Sequence, residues 1–311
     1  MQIVDLYDFK STYREDMAVK GYVFGSGEKT ACIIGPSRGN EYQQLYICSQ
    51  LVKKLTELEK GGVIAADKQI MVIPSVNFYG FNLAKDFFGV KNLDINAYFP
   101  GNNYGEPISR LTGGLFEKIK EYTYAIQFTS FYERAECVPH VRMTETGYQN
   151  VSLANLFGLP YVVVKKPVPT DTATLNYNMQ TEENCAFNIY TKAKEQLDDA
   201  CTKNAISAVL RFLTRMGIIK YECHSGYISH VLKEEDLTDV YAGRAGLFKP
   251  VVKCGEYVRY GEKMAEILDT FDGSVREEIA ASTDGIVFFA HNTPLINQYE
   301  TAFRMVHRLH E

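Results

Sequence analysis

The sequence predicts an α/β protein, a sheet covered by helices on both faces, followed by a smaller β barrel or sandwich. Two observations carry this. Up to about residue 217, short apolar runs alternate with stretches whose apolar residues recur at helical spacing. From about residue 219, short β-rich runs are separated by Gly246, Gly255, Gly261, Gly273 and Gly285. The boundary is expected near residue 218, giving an α/β domain over 1–218 and a β-rich domain over 219–311. A chain of 311 residues is long enough for a substantial core and a second, smaller one.

Along the first part, TACIIG reads as a buried strand and EYQQLYICSQLVKKLTEL as an amphipathic helix. QIMVIPSV is the next strand, and NFYGFNLAKDFFGVKNLDINAYFPG is a loop. LTGGLFEKIKEY then reads as helix, TYAIQFTSF as strand, NVSLANLFG as helix and PYVVVKK as strand. NAISAVLRFLTRMG closes the series as a helix, with Gly217 placed to cap it. In the second part, the Asp-Gly pairs at 272–273 and 284–285 predict hairpin turns. The Gly-x-x-Val-x-x-Gly rhythm there resembles the lipoyl or biotinyl hammerhead. No Lys occupies the Asp-Gly turns, so attachment of a prosthetic group is not expected.

Composition narrows the function classes. The residues are 46% hydrophobic and 23% charged, ordinary values for a globular chain, and the net charge of −5 shows no basic cluster. Nucleic acid is therefore not an expected partner. The stretch MQIVDLYDFKSTYRED carries acidic residues where a signal peptide needs a basic and then an apolar segment. No apolar run approaches the ~20 residues of a membrane helix. The seven cysteines are dispersed and contain no C-x-x-C pair, which fits reduced thiols in a cytoplasmic protein better than a disulfide framework.

Several loops carry a pattern when taken together: GPSRGNE (35–41), PSVNFYGF (74–81), DINAYFPG (94–101), AIQFTSF (125–131) and PHVR (139–142). In this order and at these intervals they resemble the succinylglutamate desuccinylase/aspartoacylase family of zinc-dependent deacylases, relatives of the zinc carboxypeptidases. The family shows G-x-H-G-x-E, P-x-x-N-x-x-G-F, D-L-N-R-x-F-P-G, a D-L-H-like strand end and P-H-x-R. A strand bearing a catalytic Glu and a C-terminal β domain follow. The resemblance spans nearly the whole chain and implies a mixed, zinc carboxypeptidase-like sheet. It also implies hydrolysis of an amide or ester bond in a small carboxylate-bearing molecule, an acylated amino acid. Two His and one Glu would hold zinc with a site left for water, and a Glu would act as general base.

The chain departs from that pattern at the residues that matter most. Arg38 stands at the first His, although Glu41 of the same loop is kept; Thr129 stands at the second His, with Gln127 two residues before it. Ala97 replaces the substrate-binding Arg beside Asp94 and Asn96, and FFGVKNL offers Lys91 but no Arg for an oxyanion. The catalytic Glu falls on Tyr190 or Thr191, neither of which is a carboxylate base. His140 is the only histidine before His224, so a two-histidine zinc site inside the α/β domain is impossible. A rebuilt site would need His224 or His230, or a set such as Glu41, His140 and Cys137.

The expectation is therefore a deacylase-like protein with a degenerate zinc centre and no retained metal. Its cleft, formed by Arg38, Glu41, Asn96, Thr129, Arg142 and Tyr190, would bind a small carboxylate without zinc-dependent hydrolysis. Arg38 would fill the space of the missing cation and neutralise Glu41, whose burial alone would be costly. The alternative is a solvent-exposed loop arginine. Arg142 keeps the family's carboxylate-anchoring position; a salt bridge to Glu133 or Glu145 is its structural alternative. Asn96 binds ligand or braces its loop with Asp94. Two other classes stay open: an active hydrolase with a rearranged site, and an interaction module with an idle pocket. GPSRGN lacks the Lys-Ser/Thr of a P-loop, and no G-x-S-x-G elbow is present.

Overall fold

The computed structural model describes residues 1–10, 16–89, 91–132, 134–192 and 196–307. They form two compact units, Met1–Ser130 with His140–Val231, and Phe131–Pro139 with Leu232–Glu311.

The first unit is built on a mixed sheet. Its strands are β1 (Gln2–Phe9), β2 (Met17–Gly25), β3 (Glu28–Ile34), β4 (Lys68–Ile73) and β5 (Tyr124–Thr129). The short β6 (Ala135–Cys137) belongs to the second unit. Then come β7 (His140–Thr144), β8 (Tyr161–Lys165), β9 (Cys185–Tyr190) and β10 (His230–Lys233). The sheet order is β1-β2-β4-β3-β5-β9-β7-β8-β10. The strands β4, β3, β5 and β9 run parallel to one another, whereas β2 is antiparallel to both β1 and β4, and β7 is antiparallel to β9 and parallel to β8. Two strands precede the expected TACIIG strand. β1 lies at the edge with a half-exposed pattern, so its apolar alternation is weak.

The helices are α1 (Tyr42–Lys60), α2 (Phe78–Leu83), α3 (Pro107–Ile119), α4 (Val151–Ala154), α5 (Leu175–Thr181) and α6 (Asp199–Arg215). The expected loop after β4 contains α2, which Asn77 starts by accepting a hydrogen bond from the Gly80 amide at 2.8 Å. α3 begins earlier than expected because Pro107 suits the first helical turn. The NVSLANLFG stretch yields only the short α4 and a tight turn ending at Gly158.

α6 ends as its glycine predicts. Gly217 takes a φ of 69°, and the Gly217 and Ile218 amides donate to the carbonyls of Thr214 and Leu213 at 3.0 and 2.9 Å. That pairing closes the helix with an apolar contact between Ile218 and Leu213.

Strand alternation separates two cores. On one face Ile33, Ile126, Phe187 and Ile189 pack with α1 and α6, where Phe212 stacks on Phe157 at 4.4 Å and 10°. On the other, Cys32, Ile34, Ala125 and Ala186 pack with α3 and with Leu175 and Met179 of α5.

The second unit is an antiparallel β structure. Its strands are β11 (Leu237–Tyr241), β12 (Gly246–Pro250), β13 (Tyr257–Val258), β14 (Lys263–Leu268), β15 (Val275–Ala280), β16 (Gly285–His291), β17 (Leu295–Ile296) and β18 (Thr301–His307). One sheet has the order β11-β18-β16-β13 with β6 on β16, and the other has β15-β14-β12-β17. Phe248, Met264, Ile267, Val287, Phe303 and Met305 fill the core between them. The Asp272–Gly273 pair turns β14 into β15, with a φ of 72° at Gly273. The expected hairpin at Asp284–Gly285 is corrected: that pair links β15 of one sheet to β16 of the other.

None of the seven cysteines forms a disulfide. Burial pushes the Cys32 and Cys48 thiols far above the usual thiol range, which removes the reactive thiolate. Iodoacetamide labelling mapped by mass spectrometry is expected to modify the half-buried Cys185, Cys223 and Cys254 in the folded chain. Cys32 and Cys48 are expected to label only after unfolding; fast native labelling of either would contradict this packing.

Candidate functional site

The strands β3, β5 and β9 run parallel, so their C-terminal ends open on the same side of the sheet, where ligands enter such folds. The GPSRGNE loop leaves β3 there. The Gly35 amide donates to the Ile73 carbonyl at 2.7 Å, and the Gly39 amide to the Asp86 carbonyl at 3.1 Å. Asn77 is fully buried and donates from Nδ2 to the Ser37 carbonyl at 2.9 Å. A side chain at Gly39 would meet the Lys85 carbonyl oxygen at 2.1 Å, so only glycine allows this approach.

Held this way, Arg38 turns inward. It is 4% exposed and Glu41 is 0% exposed, which removes the solvent-exposed alternative for Arg38. Arg38 Nη2 donates to Glu41 Oε1 at 2.9 Å and also to the carbonyl oxygen of Ser130. The Ser130 amide and hydroxyl donate to the same Glu41 oxygen at 2.9 and 2.7 Å. Glu41 Oε2 accepts from the Arg38 amide at 3.2 Å. The carboxylate is thus saturated by donors, as a buried charge requires.

Zinc does not fit this arrangement. The loop supplies a guanidinium where an imidazole donor would be needed, and both Glu41 oxygens already accept hydrogen bonds. Among the described residues, no group of three His, Cys, Asp or Glu side chains could hold a metal ion. His230 lies on β10, four strand spacings from β5, roughly 19 Å away at the usual spacing. His224 is exposed and accepts a hydrogen bond from the Gly226 amide at 3.1 Å. Cys137 belongs to the second unit, where β6 pairs with β16.

Two other expected site residues, Thr129 and Tyr190, stand in a row across the sheet with His140, as direct neighbours on β5, β9 and β7. Of the two candidates for the catalytic Glu's position, Tyr190 stands in this row. Thr191 faces elsewhere and accepts from Gln44 Nε2 at 2.9 Å. His140 is fully buried and stacks on Tyr190 at 4.9 Å and 13°. The Arg142 guanidinium lies over the other part of this group, 5.5 Å from the Tyr190 ring centre. Of its alternative partners, Glu145 is exposed and Glu133 lies outside the described residues. Asn96 accepts a hydrogen bond from the Leu175 amide at 3.2 Å, and Asp94 accepts from the Asn96 amide at 3.0 Å. Asn96 therefore ties its loop to the start of α5.

Sequence reasoning missed Ser130. Its only signal was a second hydroxyl directly after Thr129, with no spacing rule to single it out. It also missed α5, which lays Asn176 and Gln180 against this part of the sheet.

No protein-family model and no curated protein matches the chain. Solved structures do. A crystal structure of a succinylglutamate desuccinylase from a Silicibacter species superposes with a TM-score of 0.81 at 16% identity, covering 96% of this chain and 91% of that one. The product-bound ectoine utilization protein EutE of Ruegeria pomeroyi gives 0.77 at 16% identity, covering 93% and 89%. A metallo-carboxypeptidase of Burkholderia cenocepacia gives 0.54 at 10% identity over 68% of this chain and 63% of that one. The chain has the carboxypeptidase-like fold of succinylglutamate desuccinylase/aspartoacylase structures, matched over nearly its whole length.

Proposed function

We propose that the chain is a succinylglutamate desuccinylase/aspartoacylase-like protein that binds a small carboxylate-bearing molecule without zinc-dependent hydrolysis. One observation carries this reading: the buried Arg38–Glu41 pair supplies, from a side chain, the positive charge that the fold's hydrolases take from an ion. Arg38 and Glu41 set the field of the cleft, and Arg142 meets the ligand carboxylate. Tyr190, Thr129 and Asn96 offer neutral hydrogen-bonding groups around it. Tyr190, Thr129 and Asn96 are not carboxylate bases, and both oxygens of Glu41 already accept hydrogen bonds, so the arrangement favours holding over cleaving. The product-bound state of EutE supports a small-molecule pocket in this fold.

Thermal melting with a panel of dicarboxylates and N-acyl amino acids tests the reading. A ligand at 100-fold over its Kd stabilises the folded form by about 2.7 kcal/mol, a readily measured shift. The expected result is a shift that Arg142→Gln abolishes. No shift with any carboxylate would favour an interaction module. Chelator-sensitive release of amine from an N-acyl amino acid would replace the proposal with an active hydrolase.

A further inference from the structure

The sheet β15-β14-β12-β17 turns Ile279, Ile267, Phe248 and Ile296 into the core of the second unit. Its other face is then expected to be polar, as in an antiparallel sheet with one side in water. One row across it is not. Leu268 stands opposite both Val275 and Leu247, and Leu247 stands opposite Leu295. These side chains are therefore direct cross-strand neighbours over the whole width of the sheet. Val275, Leu247 and Leu295 are 52%, 37% and 60% exposed, and Leu268 is half-buried. Phe271, almost fully exposed, lies in the turn just past the row. Single exposed apolar residues are ordinary, but a contiguous row with a polar border marks an interaction surface.

The border here is charged. Two residues along the strands, on the same face, Lys249 stands opposite Glu266, and Glu266 opposite Glu278. Lys249 pairs with Glu266 at 3.1 Å, and Lys263 with Glu278 at 2.6 Å.

The two rows are complementary to themselves. A two-fold axis laid along the strands, midway between β14 and β12, reverses the strand order. The strand β12 of each copy then lies over β14 of the other, and β17 over β15. Leu247 meets Leu268, Leu295 meets Val275, and in the charged row Lys249 meets Glu266, each contact being made twice. Sheets that pack face to face keep their strands nearly aligned, which this axis provides. Any other partner must reproduce both rows, whereas a second copy already carries them.

We infer that the outer face of this sheet is a two-fold interface between two copies of the chain, with the apolar row at its centre and the Lys249–Glu266 row at its rim. This goes beyond the proposed function and does not depend on it.

Sedimentation velocity over a concentration series tests the interface, with circular dichroism to show that each variant is folded. The parent chain is expected to dimerise. Leu295→Asp is expected to raise the dimer dissociation constant at least about tenfold, because one substitution enters a two-fold interface twice. Lys249→Glu is expected to weaken the dimer as well, since it sets like charges against each other across the axis. Adding Glu266→Lys is expected to recover part of that loss, because the exchange rebuilds the pair between copies. An exposed ion pair contributes little to folding, so these changes leave the monomer intact. A parent that stays monomeric throughout the series would overturn the interface. A dimer untouched by Leu295→Asp and Lys249→Glu would overturn it too, by placing the contact elsewhere. A Lys249→Glu defect that Glu266→Lys only deepens would overturn the axis.

Discussion

Replacing Arg38 with Met is expected to destabilise the folded chain by about 3–5 kcal/mol, because it strands a carboxylate that is 0% exposed. Glu41 would keep the donors of Ser130 and lose the Arg38 guanidinium. Adding Glu41→Gln removes the stranded charge while the Gln carbonyl still accepts from Ser130. The double variant is therefore expected to recover a large part of the loss. Urea unfolding of the two single variants and the double variant gives the coupling directly. A loss below roughly 1 kcal/mol for Arg38→Met, the range of exposed pairs, would contradict a buried pair at this site.

Phe212→Ala is expected to have a comparable effect for a different reason. Phe212 is 0% exposed and meets Phe157, Phe187 and Tyr124 at ring separations of 4.4, 5.4 and 5.3 Å. Truncation removes a large buried side chain and leaves a cavity among rigid rings, at about 3–5 kcal/mol. Phe212→Leu keeps more of the volume and is expected to lose less. This core lies on the sheet face opposite Asn188 and Tyr190. At temperatures where the Phe212→Ala variant stays folded, its ligand affinity is expected to match the parent. A change in affinity as large as the change in stability would show that the two faces are coupled.

The sequence carried the sheet well where strands are buried on both faces. TACIIG and QIMVIPSV are continuous apolar runs, which β3 and β4 require in a covered parallel sheet. It carried β1 poorly because an edge strand needs no clear pattern. The Arg38–Glu41 pair was legible because both residues lie in one loop, three apart. Ser130 was not, since its role depends on β5 ending beside that loop in space. The same reason hid the amides of α5. TLNYNMQTEEN presents buried polar residues next to apolar ones, so its helical face blurs in the sequence. What faces the polar part is set by strand register, which β9 fixes only through its neighbours.

Zinc content is the most direct test of a site whose charge comes from a guanidinium. Protein purified without chelator, dialysed against zinc and then against buffer, is expected to retain no stoichiometric zinc by elemental analysis. Zinc held tightly at one equivalent per chain, and lost on Glu41→Gln, would contradict the account.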